Sequence, residues 1–135
     1  MTTDQNRRKH GENVLDRLDG TARAHVTAAL DDVSPDLADQ VISWAFGEIY
    51  DRPALPPRDR QLVILGILTT LGSCEPQLKM HLRIALNTGL TPEQITEALL
   101  QAAVYCGMPR ALVATSIAKQ VFAERGLLPA PAASG

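Results

Sequence analysis

The chain has 135 residues, 45% of them hydrophobic and only 4% aromatic, with a formal charge of −2. That suffices for one domain with an aliphatic core, and the near-neutral balance gives no reason to expect nucleic acid or an anionic membrane as partner. Two cysteines, Cys74 and Cys106, are too few for a zinc cluster or a disulfide framework and suit a reducing cytoplasm.

No stretch alternates with period two, and every long segment reads at helical spacing, so an all-α bundle of six to seven helices is expected. The basic cluster Arg7-Arg8-Lys9 has no apolar run behind it, so residues 1–9 read as a flexible tail rather than a signal peptide or anchor. Val14, Leu15 and Leu18 suggest a short helix closed by Gly20, and Thr21 to Leu30 a second. Ser34-Pro35-Asp36 supplies an N-cap, a first-turn proline and an acid, opening a third helix through Leu37, Val41, Ile42, Ala45 and Ile49. Pro53, Pro56 and Pro57 then break regular structure. A fourth helix runs from about Arg58 to Leu71. Its block Leu62 to Leu68 is apolar on every side, which predicts cover on more than one face, yet it falls far short of the roughly 20 residues of a membrane span. Gly66 inside it weakens the helix by about 1 kcal/mol against alanine, which makes sense where another backbone approaches.

Gly72-Ser73 turns the chain into a fifth helix, which opens on Glu75-Pro76 and closes at Gly89. Thr91-Pro92-Glu93-Gln94 is a capping box for the sixth, with Ile95, Ala98, Leu99, Ala102 and Tyr105 expected on one face. Gly107-Met108-Pro109 separates it from the seventh, Arg110 to about Arg125, which buries Ala114, Ile117, Ala118, Val121 and Phe122. One domain over 10–126 is expected, with a disordered tail over 127–135. Several of these helices are apolar over more than one face, which points to self-association.

In the fifth helix Leu78, Leu82, Ala85 and Leu86 recur at three- and four-residue steps, and His81 sits in the same stripe. A lone histidine on an apolar face is ordinarily a core or interface residue with satisfied nitrogens. The other reading is a titratable group in a dry pocket, tuned for proton transfer.

Four stretches, taken together, resemble the carboxymuconolactone decarboxylase family, specifically its gamma-carboxymuconolactone decarboxylase branch. They are WAFGEIYDRP (44–53), RDRQL (58–62), QLKMHLRIALNTG (77–89) and LLQAAVYCGMP (99–109), and the resemblance spans roughly residues 10–123. It implies an alkylhydroperoxidase D-like helical fold, a homotrimer or homohexamer, and no metal or organic cofactor. The thiol peroxidase arm of this superfamily has Cys-x-x-Cys followed by histidine; here Cys74 occupies the first position and Gln77 the second, which argues against a disulfide cycle. The decarboxylase arm keeps the histidine alone. By similarity the reaction is 4-carboxymuconolactone to 4-oxoadipate enol-lactone and carbon dioxide, in protocatechuate breakdown in the cytoplasm.

Such chemistry needs a poorly solvated place for the leaving carboxylate, donors where charge grows, and an acid to protonate carbon. The resemblance and these needs nominate His81 as donor or acid and Glu48 as its partner. A hydrogen bond between the two would raise the imidazole pKa. Arg58 and Arg52 are candidates for the substrate carboxylates, and Trp44, Tyr105 and Cys74 for pocket walls. Each also has an ordinary reading, as a surface ion-pair residue or core packing. The chain departs from the branch at Phe46 and Tyr50, where a second tryptophan is usual, and at Ala54, where glycine is. It departs again at the turn Leu71 to Cys74, usually more polar, and at Met108-Pro-Arg110, which carries a charge where small residues are usual. Those positions leave open a different lactone or polyketide metabolite as substrate. A thiol peroxidase and a non-catalytic ligand-binding oligomer are the further alternatives.

Overall fold

A computed structural model describes residues 2–130. The described residues are helical and contain no strand: α1 Thr3–Leu18, α2 Ala22–Leu30, α3 Pro35–Asp39 running on into a π-helical segment Gln40–Tyr50, α4 Pro57–Leu71, α5 Glu75–Asn87, α6 Pro92–Cys106 and α7 Met108–Glu124. No helix among them is long and apolar enough to cross a membrane. Within the single domain expected over 10–126, the chain gathers into two compact units, one up to Pro57 and one from Arg58 onward.

In the first unit α1 starts at Thr3, inside the stretch expected to be a flexible tail. A capping box explains it: the Thr2 hydroxyl accepts from Gln5 N–H while the Gln5 side chain accepts from Thr2 N–H. The polar first turns hide this helix from an apolar-periodicity reading, since Gly11, Val14, Leu15 and Leu18 are its buried residues. α1 packs on the π-helical segment. That segment buries Ile42, Ser43, Phe46, Gly47 and Tyr50. The four-residue steps from Ile42 to Phe46 to Tyr50 suit a coil wider than the 3.6-residue α-helix expected there. Close approach is allowed by two glycines. A Cβ on Gly11 would stand 2.0 Å from the Ile42 carbonyl oxygen, and one on Gly47 would stand 3.0 Å from the Gly11 Cα. The backbone approach expected at Gly66 is instead found here, and nothing described lies within 4 Å of a Cβ built on Gly66.

The second unit is held by an aliphatic cluster that includes Leu65 of α4, Leu78, Leu82 and Ala85 of α5, Ile95 and Leu99 of α6, and Ile117, Val121 and Phe122 of α7. α7 packs on both α5 and α6. Its expected buried face, Ala114 through Phe122, is the buried face observed. Leu127 and Ala130 pack partly buried against the cluster, so the chain just past Gly126 is laid on the core; residues 131–135 of the expected tail lie outside the described residues. α4 differs from expectation. It buries Gln61, Leu65 and Thr69, while Val63 and Ile67 are each 52% exposed, so one face is covered rather than several.

Candidate functional site

α5 carries the histidine. Pro76 stands in its first turn, where the missing amide costs nothing, and Leu78, Leu82 and Ala85 bury one stripe. His81 lies between Leu78 and Leu82 at the stripe's edge, half-buried. Its neighbour is Gln61 of α4, which is fully buried and therefore must spend its amide on internal partners. Gln61 Nε2 donates to the His81 backbone oxygen at 2.8 Å, and the amide stands 3.3 Å from His81 Nδ1. The imidazole is thus held through both its ring and its own backbone. Burial pushes its pKa down from 6.5 to about 4, so it is neutral at pH 7. That direction is opposite to the one a carboxylate partner would produce.

A cleft of about 390 Å³ lies in the same unit, at the turn from α4 to α5 and against the start of α7. Leu68, Leu78, Val113 and Ile117 are among its apolar walls, and Thr69, Cys74, Glu75 and Arg110 are among its polar lining. The turn is tight, with Gly72 and Ser73 both left-handed at φ +66° and +55°. The Cys74 thiol lines the cleft and donates to the Leu68 carbonyl oxygen at 3.3 Å.

The remaining nominated residues are not among those lining the cleft. Tyr105 is 87% exposed, not on the buried face of α6. The reason is angular: ten residues beyond Ile95, a helix has turned about 80° away from the Ile95 direction. Trp44 is 51% exposed. Glu48 is an exposed residue of the first unit, where it accepts a hydrogen bond from Arg7 Nε; that pairing raises the Arg7 pKa. Arg52 and Arg58 are exposed. Gln61 and Arg110 were not nominated. Nothing in the local sequence distinguishes Gln61, and its full burial is what marks it. Arg110 was visible in the sequence as a charge where small residues are usual. Among the described residues no group of three or more His, Cys, Asp or Glu could hold a metal ion.

The sequence profile of the carboxymuconolactone decarboxylase family matches residues 35–120. A 4-carboxymuconolactone decarboxylase of Acinetobacter baylyi is 34% identical over 129 residues, covering 93% of this chain and 94% of that protein. A nitrosuccinic acid decarboxylase of Metarhizium robertsii is 32% identical over 117 residues, covering 84% of this chain and 81% of the relative. An uncharacterised 15.0 kDa protein of Paracoccus denitrificans is 33% identical over 97 residues, covering 71% and 72%.

Proposed function

Because this chain belongs to the carboxymuconolactone decarboxylase family, we propose that it is a cofactor-independent carboxy-lyase acting on a carboxylated unsaturated lactone, with 4-carboxymuconolactone the first substrate to test. The observation that carries the reading is His81: a neutral imidazole, half-buried beside aliphatic side chains and anchored by a fully buried amide. Two relatives named as decarboxylases of different acids support the reaction type more than the particular substrate.

In this reaction the carbon–carbon bond to the carboxylate breaks, carbon dioxide departs, and the electron pair moves onto the conjugated lactone carbonyl as a dienolate. An imidazole whose pKa is about 4 is a poor acid at pH 7, yet its ring N–H is a good hydrogen-bond donor. We therefore assign His81 the stabilisation of the dienolate oxygen, with Gln61 holding the ring in place. Low local solvation strengthens that hydrogen bond and favours a carboxylate leaving as uncharged carbon dioxide. The dienolate then takes a proton at carbon. That proton comes from solvent, and Glu48 is the residue proposed to relay it, on its place in the sequence alone: its carboxylate is paired with Arg7 and takes up the proton on leaving that pair before passing it to carbon.

The proposal includes self-association as a trimer or hexamer. Leu100, Val104, Tyr105, Met108 and Leu112 of α6 and α7 are each more than 60% exposed, an apolar surface costly to leave in water. Sedimentation at micromolar concentration should show a multiple of the 14.6 kDa chain, and a clean single-chain species overturns this part. The enzymatic part is tested by incubating purified protein with 4-carboxymuconolactone and following ultraviolet absorbance. Wild type should consume it and His81→Ala should not; full activity in that variant removes His81 from the mechanism.

A further inference from the structure

We propose that the cleft at the α4–α5 turn is a binding site for a small monocarboxylic acid with an apolar body, and that Arg110 is its anchor. Arginine in the first turn of α7 sits at the positive end of the helix dipole, where a cation is disfavoured unless something answers its charge. Among the described residues no carboxylate pairs with it. Among the described residues the polar partner of Arg110 is the Leu71 carbonyl oxygen, accepting from Nη1 at 3.0 Å, and no carboxylate stands within ion-pair reach. One contact leaves most of the five guanidinium N–H groups unused, including enough for a bidentate pair.

The side chain lies where Gly72 leaves space. Gly72 makes room for it: a Cβ there would stand 2.0 Å from Arg110 Nη1, and the left-handed φ of +66° independently favours glycine. The guanidinium is therefore seated over a turn that a side chain would fill, at the edge of a cleft whose volume suits a small organic ligand. A second, independent feature lies in the lining. Thr69 is 2% exposed, and its hydroxyl oxygen has no hydrogen-bond partner among the described residues. Buried hydroxyls are ordinarily satisfied, and this one belongs to a residue that borders the cleft.

The rest of the lining selects the ligand. Leu68, Leu78, Val113 and Ile117 offer aliphatic contact to a ring or chain, while Glu75 places a negative charge in the same cleft. One cation for one carboxylate, with an acid nearby, favours a monoanion over a dianion. The site stands whether or not the acid bound there is the one decarboxylated at His81, since His81 is not among the residues lining it.

The test is calorimetric titration of the full chain with cyclohexanecarboxylate, cyclohexanecarboxamide and cyclohexane-1,2-dicarboxylate at pH 7. Saturable binding of the monoacid is expected, with the neutral amide and the diacid each weaker by about tenfold or more. Arg110→Gln should abolish the preference for acid over amide, and because Arg110 is exposed its thermal unfolding should match wild type. Val113→Phe, at a half-exposed wall position, should weaken acid and amide together. His81→Ala should bind the monoacid as wild type does even where turnover is lost, which separates failure of the decarboxylase reading from failure of this one. Equal affinity for acid and amide, or an Arg110→Gln variant that keeps the wild-type preference, overturns the proposal.

Discussion

The two compact units solve the placing of charge in opposite ways. In the first, charged side chains meet one another: Arg7 with Glu48, Arg8 with Asp39, Arg23 with Glu12 and Asp16, and Arg17 with Asp51 at 3.4 Å. In the second, Lys79 and Arg83 also pair with Glu124 on the surface, but His81 and Arg110 are held by neutral groups, an amide and a backbone carbonyl. A group held by a neutral partner is positioned without being neutralised. It keeps its capacity to answer charge that arrives with a ligand or develops during a reaction, which is why the chemistry proposed here centres on the second unit.

The contrast extends to packing, and the largest predicted effects break it there. The first unit depends on backbone contact at Gly11, so Gly11→Val should cost about 3 kcal/mol or more by forcing α1 off the π-helical segment. Trp44 is the chain's single tryptophan and lies in this unit, so its fluorescence in a denaturant titration reports the loss. The second unit depends on side-chain volume. Phe122→Ala should cost about 3–5 kcal/mol there, read by circular dichroism. A Gly11→Val variant with an unshifted Trp44 transition would refute the glycine contact.

Next in size is the effect of pH. His81 has a folded pKa of about 4 against an unfolded value of 6.5, so the unfolded chain takes up its proton first as pH falls. Stability contributed by neutral His81 is complete above pH 6.5 and declines as pH drops toward 4, by up to about 3 kcal/mol. His81→Gln should flatten stability over that window, and an unchanged pH profile in the variant shows the burial penalty to be absent.

Smaller effects sharpen the division of chemistry. Gln61→Leu should lower turnover while sparing substrate affinity, because the ring loses its hold rather than its place in the chain. Cys74→Ser should leave turnover largely intact; abolition would instead favour thiol chemistry. Smallest in stability is Glu48→Gln. Its pair with Arg7 is solvent-exposed, so the unfolding midpoint should not move, and any loss of turnover then reports the proposed proton delivery.

Much of the helical order was legible because apolar spacing and caps are local. The Thr91 to Gln94 capping box opens α6 as expected, and the α7 face from Ala114 to Phe122 is the buried one. What misled was also local information pushed too far. Tyr105 looked like part of the α6 stripe until ten residues of rotation carried it outward. The apolar block of α4 suggested cover all round, but hydrophobicity does not say which faces neighbours occupy. In the candidate site His81 is legible as a polar interruption of an apolar stripe, whereas Gln61 and Arg110 gain meaning only from partners 20 and 39 residues away in sequence.

By itself the sequence determined the helical class, the stops between helices, membership of the decarboxylase family and the histidine to watch, since each rests on residue type and near-neighbour spacing. Tertiary structure alone decided that the histidine is neutral, that an amide holds it, and that an arginine borders a cleft with a backbone carbonyl as its partner among the described residues. Burial and long-range partners set those properties, and both are created only when helices distant along the chain pack together.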